Sequence, residues 1–261
     1  MTDKDFTGKV VIVTGSGRGI GRAIALAFAS EGAMVGVLDQ NLPTAEDVAR
    51  EIEASGGSAL AVGTDVSAAG SVGCAVEVVC QRFGGVDVVV NNAGVERYGS
   101  AEEIDEADWD FVIGTNLRGA WLMSRAALPL MRSRGGGVIV NIASVQAFVN
   151  ESHNLAYAVS KAGLLALTRG IAVDHASERI RCVCVAPGSV RTPMLEAAAD
   201  KARPGDLDAG LRAWAESIPI GRIIKPGEVA SLVLFLASDS AAAITGSCHL
   251  VDGGVLAKRG L

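Results

Sequence analysis

The chain has 261 residues, of which 49% are hydrophobic and 32 are glycines, and its formal net charge is −6 at pH 7. A chain of this length can bury a large core in one domain, so we expect a single domain over residues 1–261. The negative charge and the scattered basic residues argue against a nucleic-acid partner. The five cysteines lack the spacing of a metal site, so we expect no metal and buried thiols.

No apolar stretch has the length of a membrane span. The longest apolar helical patch, Val229 to Ala237, is far too short to cross a bilayer. The first residues, Met1-Thr2-Asp3-Lys4-Asp5, lack the apolar core of a signal peptide. We therefore expect a cytoplasmic protein without a membrane partner.

Apolar runs of strand length alternate with helical stretches along the chain. The runs are Val10 to Thr14, Ala33 to Leu38, Ala59 to Gly63, Val86 to Val90, Gly137 to Ile142, Ile180 to Val185 and Cys248 to Val251. Strands separated by helices are typical of a parallel sheet covered on both faces. The sequence predicts an α/β fold, a Rossmann-like doubly wound parallel sheet of about seven strands with helices on both faces.

A glycine-rich loop follows the first predicted strand. It reads Gly15-Ser16-Gly17-Arg18-Gly19-Ile20-Gly21, and apolar residues then recur at helical spacing. Such a turn offers backbone N–H groups and a helix N-terminus to a pyrophosphate. The next predicted strand is followed by Asp39, eighteen residues after Gly21. At this position a carboxylate can accept hydrogen bonds from the ribose hydroxyls of a dinucleotide. We predict that the first third of the chain binds a dinucleotide.

Tyr157 and Lys161 form the second informative pattern. They are four residues apart, which on a helix puts both side chains on one face. The Lys161 charge favours the phenolate, so we expect it to lower the pKa of Tyr157 from its usual value of about 10. Ser144 stands thirteen residues before Tyr157, at the end of an apolar strand. This combination is typical of an alcohol or carbonyl oxidoreductase.

Together these motifs resemble the classical short-chain dehydrogenase/reductase family, and the resemblance covers nearly the whole chain. The family's Thr-Gly-x-x-x-Gly-x-Gly starts here at Thr14, and its Asn-Asn-Ala-Gly starts at Asn91. The catalytic residues that the resemblance implies are Asn116, Ser144, Tyr157 and Lys161. The cofactor-binding residues that it implies are Gly15, Arg18, Gly19, Ile20, Gly21, Asp39, Asp65, Val66, Asn92, Ala93, Gly94, Tyr157, Lys161, Pro187, Gly188, Val190 and Thr192.

The resemblance also implies a separate role in the reaction for each catalytic residue. Tyr157 would take the hydroxyl proton of an alcohol, Ser144 would steady its oxygen, and Lys161 would lower the Tyr157 pKa and hold the nicotinamide ribose. Asn116 would hold a water between Lys161 and solvent, although a local helix-distorting role is an alternative. The resemblance further implies a homotetramer, joined through the helices of Asn116 and Tyr157 and through the C-terminal strand.

The cofactor signals conflict. Asp39 favours NAD, because its carboxylate would repel a 2′-phosphate by about 4 kcal/mol for unit charges 4 Å apart at an effective dielectric of 20. Arg18 stands where family members that use NADP often carry a basic residue. No Lys or Arg directly follows Asp39. We therefore predict NAD, with weaker use of NADP.

Polar residues dominate the segments that border the substrate in this family. Glu96 follows the Asn-Asn-Ala-Gly motif, and Gln146 and His153 lie in the polar stretch between Ser144 and Tyr157. A polar pocket favours a sugar or polyol over a steroid or fatty acyl chain, unless these residues form only a solvated loop. Residues 192–220 are expected to form a lid over the substrate.

Two other functions stay open. The first is reduction of a 3-oxoacyl thioester on an acyl carrier with NADPH, which Arg18 favours. The second is a non-catalytic NAD(H)-binding redox sensor. A sensor has no need of a proton relay, so the presence of Ser144, Tyr157 and Lys161 argues against it. Our lead prediction is an NAD-dependent dehydrogenase acting on a secondary alcohol of a sugar or polyol.

Overall fold

Seven strands and nine helices alternate along residues 5–258, which are the residues that the computed structural model describes. The strands are β1 (Val10–Thr14), β2 (Met34–Asp39), β3 (Ser58–Gly63), β4 (Val88–Asn91), β5 (Gly137–Ile142), β6 (Ile180–Pro187) and β7 (Cys248–Val251). The helices are α1 (Gly19–Ser30), α2 (Leu42–Ala54), α3 (Ala69–Phe83), α4 (Glu106–Ile113), α5 (Gly119–Ser133), α6 (Leu155–His175), α7 (Pro193–Ala202), α8 (Leu207–Ser217) and α9 (Pro226–Ala237).

All seven strands pair in parallel, in the order β3-β2-β1-β4-β5-β6-β7. The chain moves outward from β1 to β3 and then returns to place β4 on the other side of β1. Such a reversal leaves a crevice beyond the carboxyl ends of the two central strands, where ligands of doubly wound sheets bind. The predicted fold class is confirmed, with all seven strands found within two residues of their predicted limits.

The core lies on both faces of the sheet. Successive strand residues point to opposite faces, so Val11 and Val13 pack with α1, α2 and α9, whereas Val10 and Ile12 pack with α3 and α5. β1 is buried along its whole length. This explains its continuous apolar sequence, which is typical of central parallel strands.

The segment predicted as a lid consists of α7 and α8. A Cβ on Gly210 of α8 would lie 2.8 Å from the backbone oxygen of Ala199 in α7, so the two helices pack closely. Leu211 and Ala199 are buried between neighbouring elements. Among the described residues, no helix is long and apolar enough to cross a membrane.

The cysteines differ in burial. Cys182 and Cys184 are buried on β6, but Cys74 is exposed on α3, and Cys80 and Cys248 are only partly buried. The prediction of buried thiols therefore holds for two cysteines and is wrong for Cys74. Within residues 5–258, no cluster of three or more His, Cys, Asp or Glu side chains is arranged to hold a metal ion.

Candidate active site

A cavity of about 460 Å³ opens beyond the carboxyl ends of the strands. It spans the crevice between β1 and β4 and extends from Asp39 at one end to Trp214 at the other. Its lining includes these predicted cofactor-binding and catalytic residues: Gly15, Arg18, Gly19, Ile20, Asp39, Asp65, Val66, Asn92, Ala93, Gly94, Ser144, Tyr157, Lys161, Pro187, Gly188, Val190 and Thr192. Gly21 and Asn116 lie just behind this lining.

The glycine-rich loop brings the N-terminus of α1 against the cavity. Gly15 has a φ of +61°, a left-handed conformation that favours glycine. A Cβ on Gly21 would lie only 2.3 Å from the backbone oxygen of Gly15, so the helix could not pack this closely with any other residue there. The cradle therefore fits an anionic group, which backbone N–H groups and the helix dipole attract.

Asp39 closes the far end of the cavity at the tip of β2. Its Oδ2 accepts a hydrogen bond from the Gly17 N–H at 2.9 Å, and its Oδ1 accepts one from the Asn41 N–H at 3.0 Å. These two bonds fix the carboxylate beside the loop that holds Arg18. The arrangement fits the ribose of a dinucleotide. A carboxylate that is already held in place can accept hydrogen bonds from the ribose hydroxyls with little further loss of side-chain entropy.

Thr14 joins the loops that follow β1 and β4. Its hydroxyl oxygen accepts from the backbone N–H groups of Asn92 and Ala93, both at 3.0 Å. In return, the Asn92 amide donates to the backbone oxygens of Thr14 and Gly15 at 2.9 and 3.0 Å. In the sequence, Thr14 is recognisable only as the first residue of the glycine motif. Its role in joining the two loops was not predicted.

Asn116 lies in a π-helical turn, Gly114–Arg118, between α4 and α5. Its Oδ1 accepts from the Val95 N–H at 2.8 Å, while its Nδ2 donates to the Val95 oxygen at 2.9 Å and to Ser160 Oγ at 3.0 Å. The helix-distorting alternative for Asn116 therefore agrees with the structure. A Cβ on Gly94 would lie 3.3 Å from Lys161 Nζ and 3.5 Å from Asn116 Oδ1, so both side chains border Gly94.

Ser144, Tyr157 and Lys161 share one wall of the cavity. Tyr157 and Lys161 lie in the first two turns of α6, and Ser144 follows β5. Lys161 is 3% exposed, and its Nζ donates to the Ile142 oxygen at 2.9 Å. Ser144 Oγ accepts from the Gln146 N–H at 3.1 Å, and its hydroxyl also hydrogen-bonds to Tyr157, which favours the phenolate. This constellation can hold an alcohol or carbonyl oxygen and move a proton.

The prediction that Lys161 lowers the Tyr157 pKa is wrong in this structure. Burial raises the pKa of Tyr157, and the negative charge of Glu96 raises it further, while Ser144 opposes both. Burial also lowers the pKa of Lys161 to about 8. The two carboxylates, Glu96 and Glu151, come from loops distant in sequence, and both add to the effect of burial on the Tyr157 pKa.

The predicted substrate residues divide into two groups. Glu96 and Gln146 line the cavity, but His153 does not. The His153 side chain is 60% exposed and pairs with Glu103, with 2.8 Å between Nδ1 and Oε2. Its φ of 58° turns the chain so that its backbone oxygen accepts from the Gly99 N–H at 2.7 Å. His153 therefore anchors the loop instead of facing the cavity.

Glu151 and several aromatic residues complete the substrate end. Glu151, Tyr98, Phe111 and Trp214 all line the cavity. In sequence Glu151 was only one of several polar residues between Ser144 and Tyr157. A signal was present, since Glu96 and Glu151 each stand close to a motif of the site and carry the same charge.

Comparison with known proteins agrees with this geometry. A family model described as Enoyl-(Acyl carrier protein) reductase matches residues 15–256. The chain belongs to the short-chain dehydrogenase/reductase family. It is 40% identical over 250 residues to oxidoreductase UcpA of Escherichia coli (strain K12), covering 95% of both chains. The resemblance identified from the motifs is thereby confirmed.

Two further relatives in this family have more specific names. D-threitol dehydrogenase of Mycolicibacterium smegmatis is 39% identical over 258 residues, covering 98% of this chain and 96% of the relative. The 3-oxoacyl-[acyl-carrier-protein] reductase FabG of Thermotoga maritima is 38% identical over 249 residues, covering 95% and 98%. The short-chain dehydrogenase/reductase relatives thus include both a polyol dehydrogenase and an acyl-carrier reductase.

A solved structure of a dehydrogenase has the same fold as this chain. Ligand-free aldohexose dehydrogenase (AldT) of Thermoplasma acidophilum superimposes with a TM-score of 0.89 at 36% identity, covering 99% of this chain and 98% of that one. This short-chain dehydrogenase/reductase is therefore an oxidoreductase that acts on alcohol or carbonyl groups, and its family uses a nicotinamide cofactor.

Proposed function

We propose that the protein catalyses the NAD-dependent oxidation of a secondary alcohol in a sugar or polyol to the carbonyl compound. The supporting observation is that Ser144, Tyr157 and Lys161 line the same cavity whose far end carries the fixed carboxylate of Asp39. An alcohol-binding proton relay and a ribose acceptor thus face one continuous space. The proposal extends to a homotetramer in the cytoplasm, on the strength of the family resemblance.

In this proposal, side chains of the protein bind the substrate's alcohol oxygen and accept its proton. The Ser144 hydroxyl donates to the substrate oxygen and stabilises the charge that develops on it. Tyr157, as phenolate, takes the hydroxyl proton. The glycine-rich loop and Asp39 would hold a nicotinamide dinucleotide, which would supply the hydride acceptor for the same carbon. Lys161 places a positive charge behind the phenol, with its Nζ 5.4 Å from the ring centroid.

For Asn116, we propose a positioning role. Its amide is bonded to the backbone of Val95 and to Ser160 on α6. It therefore ties the loop after β4 to the helix that carries Tyr157. The water-holding role that the resemblance implies stays a prediction.

The choice of NAD rests on the competition between Asp39 and Arg18. Both Asp39 oxygens are held by backbone N–H groups, so the carboxylate cannot swing away from a 2′-phosphate. Arg18 lines the same end of the cavity. One arginine must offset a fixed carboxylate, which favours the cofactor without the extra phosphate.

The sugar or polyol substrate is supported by acceptors at the other end of the cavity. Glu96 and Gln146 line it there, and hydroxyl-rich substrates supply donors for such groups. The names of the threitol and aldohexose dehydrogenases point the same way.

Reduction of a 3-oxoacyl thioester is the second candidate. Met194, Leu195 and Ala198 of α7 line the cavity and offer an apolar strip for an acyl chain. The relationship to FabG adds weight. The carboxylates of Glu96 and Glu151 argue against it, because an apolar acyl chain beside them would remove water from two charged groups.

A spectrophotometric screen at about 340 nm, where the reduced nicotinamide absorbs, separates the two candidates. NAD and NADP are each tested with sugars, polyols and simple secondary alcohols, and the reduced forms are tested with 3-oxoacyl thioesters. Oxidation of a sugar or polyol with NAD supports the proposal. Activity confined to 3-oxoacyl thioesters with NADPH would refute it.

A further inference from the structure

Cys184 of β6 and Cys248 of β7 lie side by side in the sheet. The two residues are directly paired in the parallel register of these strands. Directly paired residues point to the same face of a sheet, and neighbouring strands lie about 4.8 Å apart. Two cysteines can form a disulfide when their Cα atoms are about 4.4–6.8 Å apart. The backbone therefore holds this pair at disulfide distance.

The two thiols also contact each other. The Cys184 thiol hydrogen-bonds to the Cys248 sulfur, and both side chains belong to one small apolar cluster between the sheet and helices α5 and α6. Cys182, two residues earlier on β6, is engaged differently, since its Sγ accepts from Asn141 Nδ2 at 3.6 Å. Cys248 is therefore the thiol that faces Cys184.

Cys248 is the member of the pair that an oxidant can reach. β7 is the last strand in the order of the sheet and pairs with β6 alone, and Cys248 is only partly buried, whereas Cys184 is 0% exposed. The hydrogen bond from Cys184 lowers the pKa of the Cys248 thiol, which favours the thiolate, its reactive form. A reactive thiol with a second thiol in contact is the usual arrangement of a redox-sensitive pair.

The pair lies directly behind the cavity. Lys161 and the Cys184 thiol are close enough to interact electrostatically. Three residues after each cysteine, Pro187 of β6 pairs with Val251 of β7, and the Gly188 N–H donates to the Val251 oxygen at 2.9 Å. Lys161, Pro187 and Gly188 all line the cavity. A bond between the two strands therefore acts on residues of the predicted cofactor site.

We propose that Cys184 and Cys248 form a reversible disulfide that weakens cofactor binding in the adjoining cavity. The Cβ atoms of a disulfide prefer a distance of about 3.8 Å, which is shorter than the strand spacing, so the bond draws β6 and β7 together. A close-packed interior transmits such a shift to its neighbours. The proposal goes beyond the oxidation of an alcohol and does not depend on the identity of the substrate.

A peroxide supplies the oxidant. The Cys248 thiolate attacks one peroxide oxygen and becomes a sulfenic acid, while the O–O bond breaks and the other oxygen leaves as water. The Cys184 sulfur then attacks the Cys248 sulfur and displaces the sulfenic oxygen, which leaves as a second water. The two thiols thus lose two electrons and two protons to the peroxide, and an added dithiol reverses the reaction.

Peptide mapping tests the bond itself. Reduced, folded wild type is treated with hydrogen peroxide and then unfolded in iodoacetamide, which blocks the remaining thiols before mass spectrometry. We expect a link between the peptides of Cys184 and Cys248 that dithiothreitol reverses. Cys248→Ser should abolish it, and Cys74→Ser, at the exposed cysteine of α3, should leave it in place. Recovery of both cysteines in blocked form, or a link between two chains on a non-reducing gel, would overturn the proposal.

Cofactor binding tests the coupling to the cavity without any substrate. NADH and NADPH are titrated by fluorescence, and the one that binds reduced wild type more tightly is followed. Its Kd should rise by about fivefold or more on oxidation, the effect of about 1 kcal/mol of strain, and return with dithiothreitol. Cys248→Ser and Cys248→Ala should bind like reduced wild type before and after peroxide, whereas Cys74→Ser should respond like wild type. An unchanged Kd in protein whose link is verified, or an equal rise in the Cys248 variants, would overturn the coupling.

Discussion

Lys161 approaches Tyr157 from behind: its Nζ lies 5.4 Å from the centre of the phenol ring and donates to the Ile142 oxygen at 2.9 Å. The hydrogen bond pins the second turn of α6 to the end of β5. Ser144 follows that strand directly. The proposed proton relay is therefore attached to the central sheet, and rigid elements position side chains more accurately than loops do.

The first prediction concerns Tyr157 as the acid–base group. Tyr157→Phe should lower kcat by about two to four orders of magnitude, the contribution of general acid–base catalysis, because no other hydroxyl replaces the phenol. NADH binding, followed by fluorescence titration, should stay within about threefold of wild type, because the phenyl ring keeps its packing.

Tyr98→Phe is the matched control, since Tyr98 is the other tyrosine of the chain and also lines the cavity. It should change kcat by less than about tenfold, because the Tyr98 hydroxyl hydrogen-bonds to Glu96 and has no part in the proposed proton transfer. Comparable losses in both variants would show that the ring of Tyr157 is structural.

The second prediction concerns pH. Oxidation requires the Tyr157 phenolate, and burial raises the pKa of this phenol, so kcat/KM should still be rising with pH at the upper end of the measurable range. After burial, the negative charge of Glu96 is the next largest cause of this raised pKa. Removing the charge favours the phenolate, so Glu96→Gln should move the rising limb of the profile toward lower pH.

The pH profile of Glu102→Gln should coincide with that of the wild type, because Glu102 lies outside the cavity. In the reverse direction, reduction requires the protonated phenol, and the raised pKa of Tyr157 keeps it protonated, so deprotonation of Tyr157 should not lower the reduction rate over the same pH range. A Glu96→Gln profile that stays in place or moves to higher pH would contradict the assignment of the limb to Tyr157.

The strands, the glycine-rich turn and the Tyr157–Lys161 pair could be predicted because each is determined by residues close together in the sequence. The apolar run from Val10 to Thr14 and the glycines after it determine a strand, a turn and the start of α1 without help from the rest of the chain. The same holds for Tyr157 and Lys161, whose spacing on a helix fixes their common face. The fold and the loop geometry at the glycine-rich end of the cavity could therefore be predicted.

The electrostatics of the substrate end depend on contacts distant in sequence and could not be predicted. Glu96 follows β4 and Glu151 precedes α6, so their meeting beside Tyr157 needs the folded chain. His153 shows the same limit. A polar residue between Ser144 and Tyr157 was expected to face the substrate, but its left-handed backbone turns it toward Glu103.

The third prediction concerns cofactor choice. Asp39→Asn removes the charge that would repel a 2′-phosphate but keeps an oxygen for the Gly17 or Asn41 N–H. The ratio of kcat/KM for NAD to that for NADP should fall by about tenfold or more. The reason is that two like unit charges 4 Å apart repel each other by about 4 kcal/mol at an effective dielectric of 20. Arg18→Ala is the complementary variant and should lower activity with NADP more than with NAD. An unchanged ratio in Asp39→Asn would mean that Asp39 does not meet the ribose.

The fourth prediction concerns stability. Asp87 is 7% exposed; its Oδ2 accepts from the Val10 N–H at 2.8 Å and from Arg134 Nη2 at 2.9 Å. These bonds tie the first residue of β1 to the end of α5. Asp87→Ala should lower the free energy of unfolding by about 2–4 kcal/mol, because it leaves a buried N–H and a partly buried guanidinium without partners.

Urea unfolding at fixed protein concentration measures this loss. Asp47→Ala is the control, because Asp47 pairs with Arg50 on α2, where the two side chains are 71% and 65% exposed. Breaking such an exposed pair should change the free energy of unfolding by less than about 1 kcal/mol. If the two variants lost the same stability, the Asp87 bonds would contribute no more than a solvated surface pair, and the link between β1 and α5 would have to come from apolar packing alone.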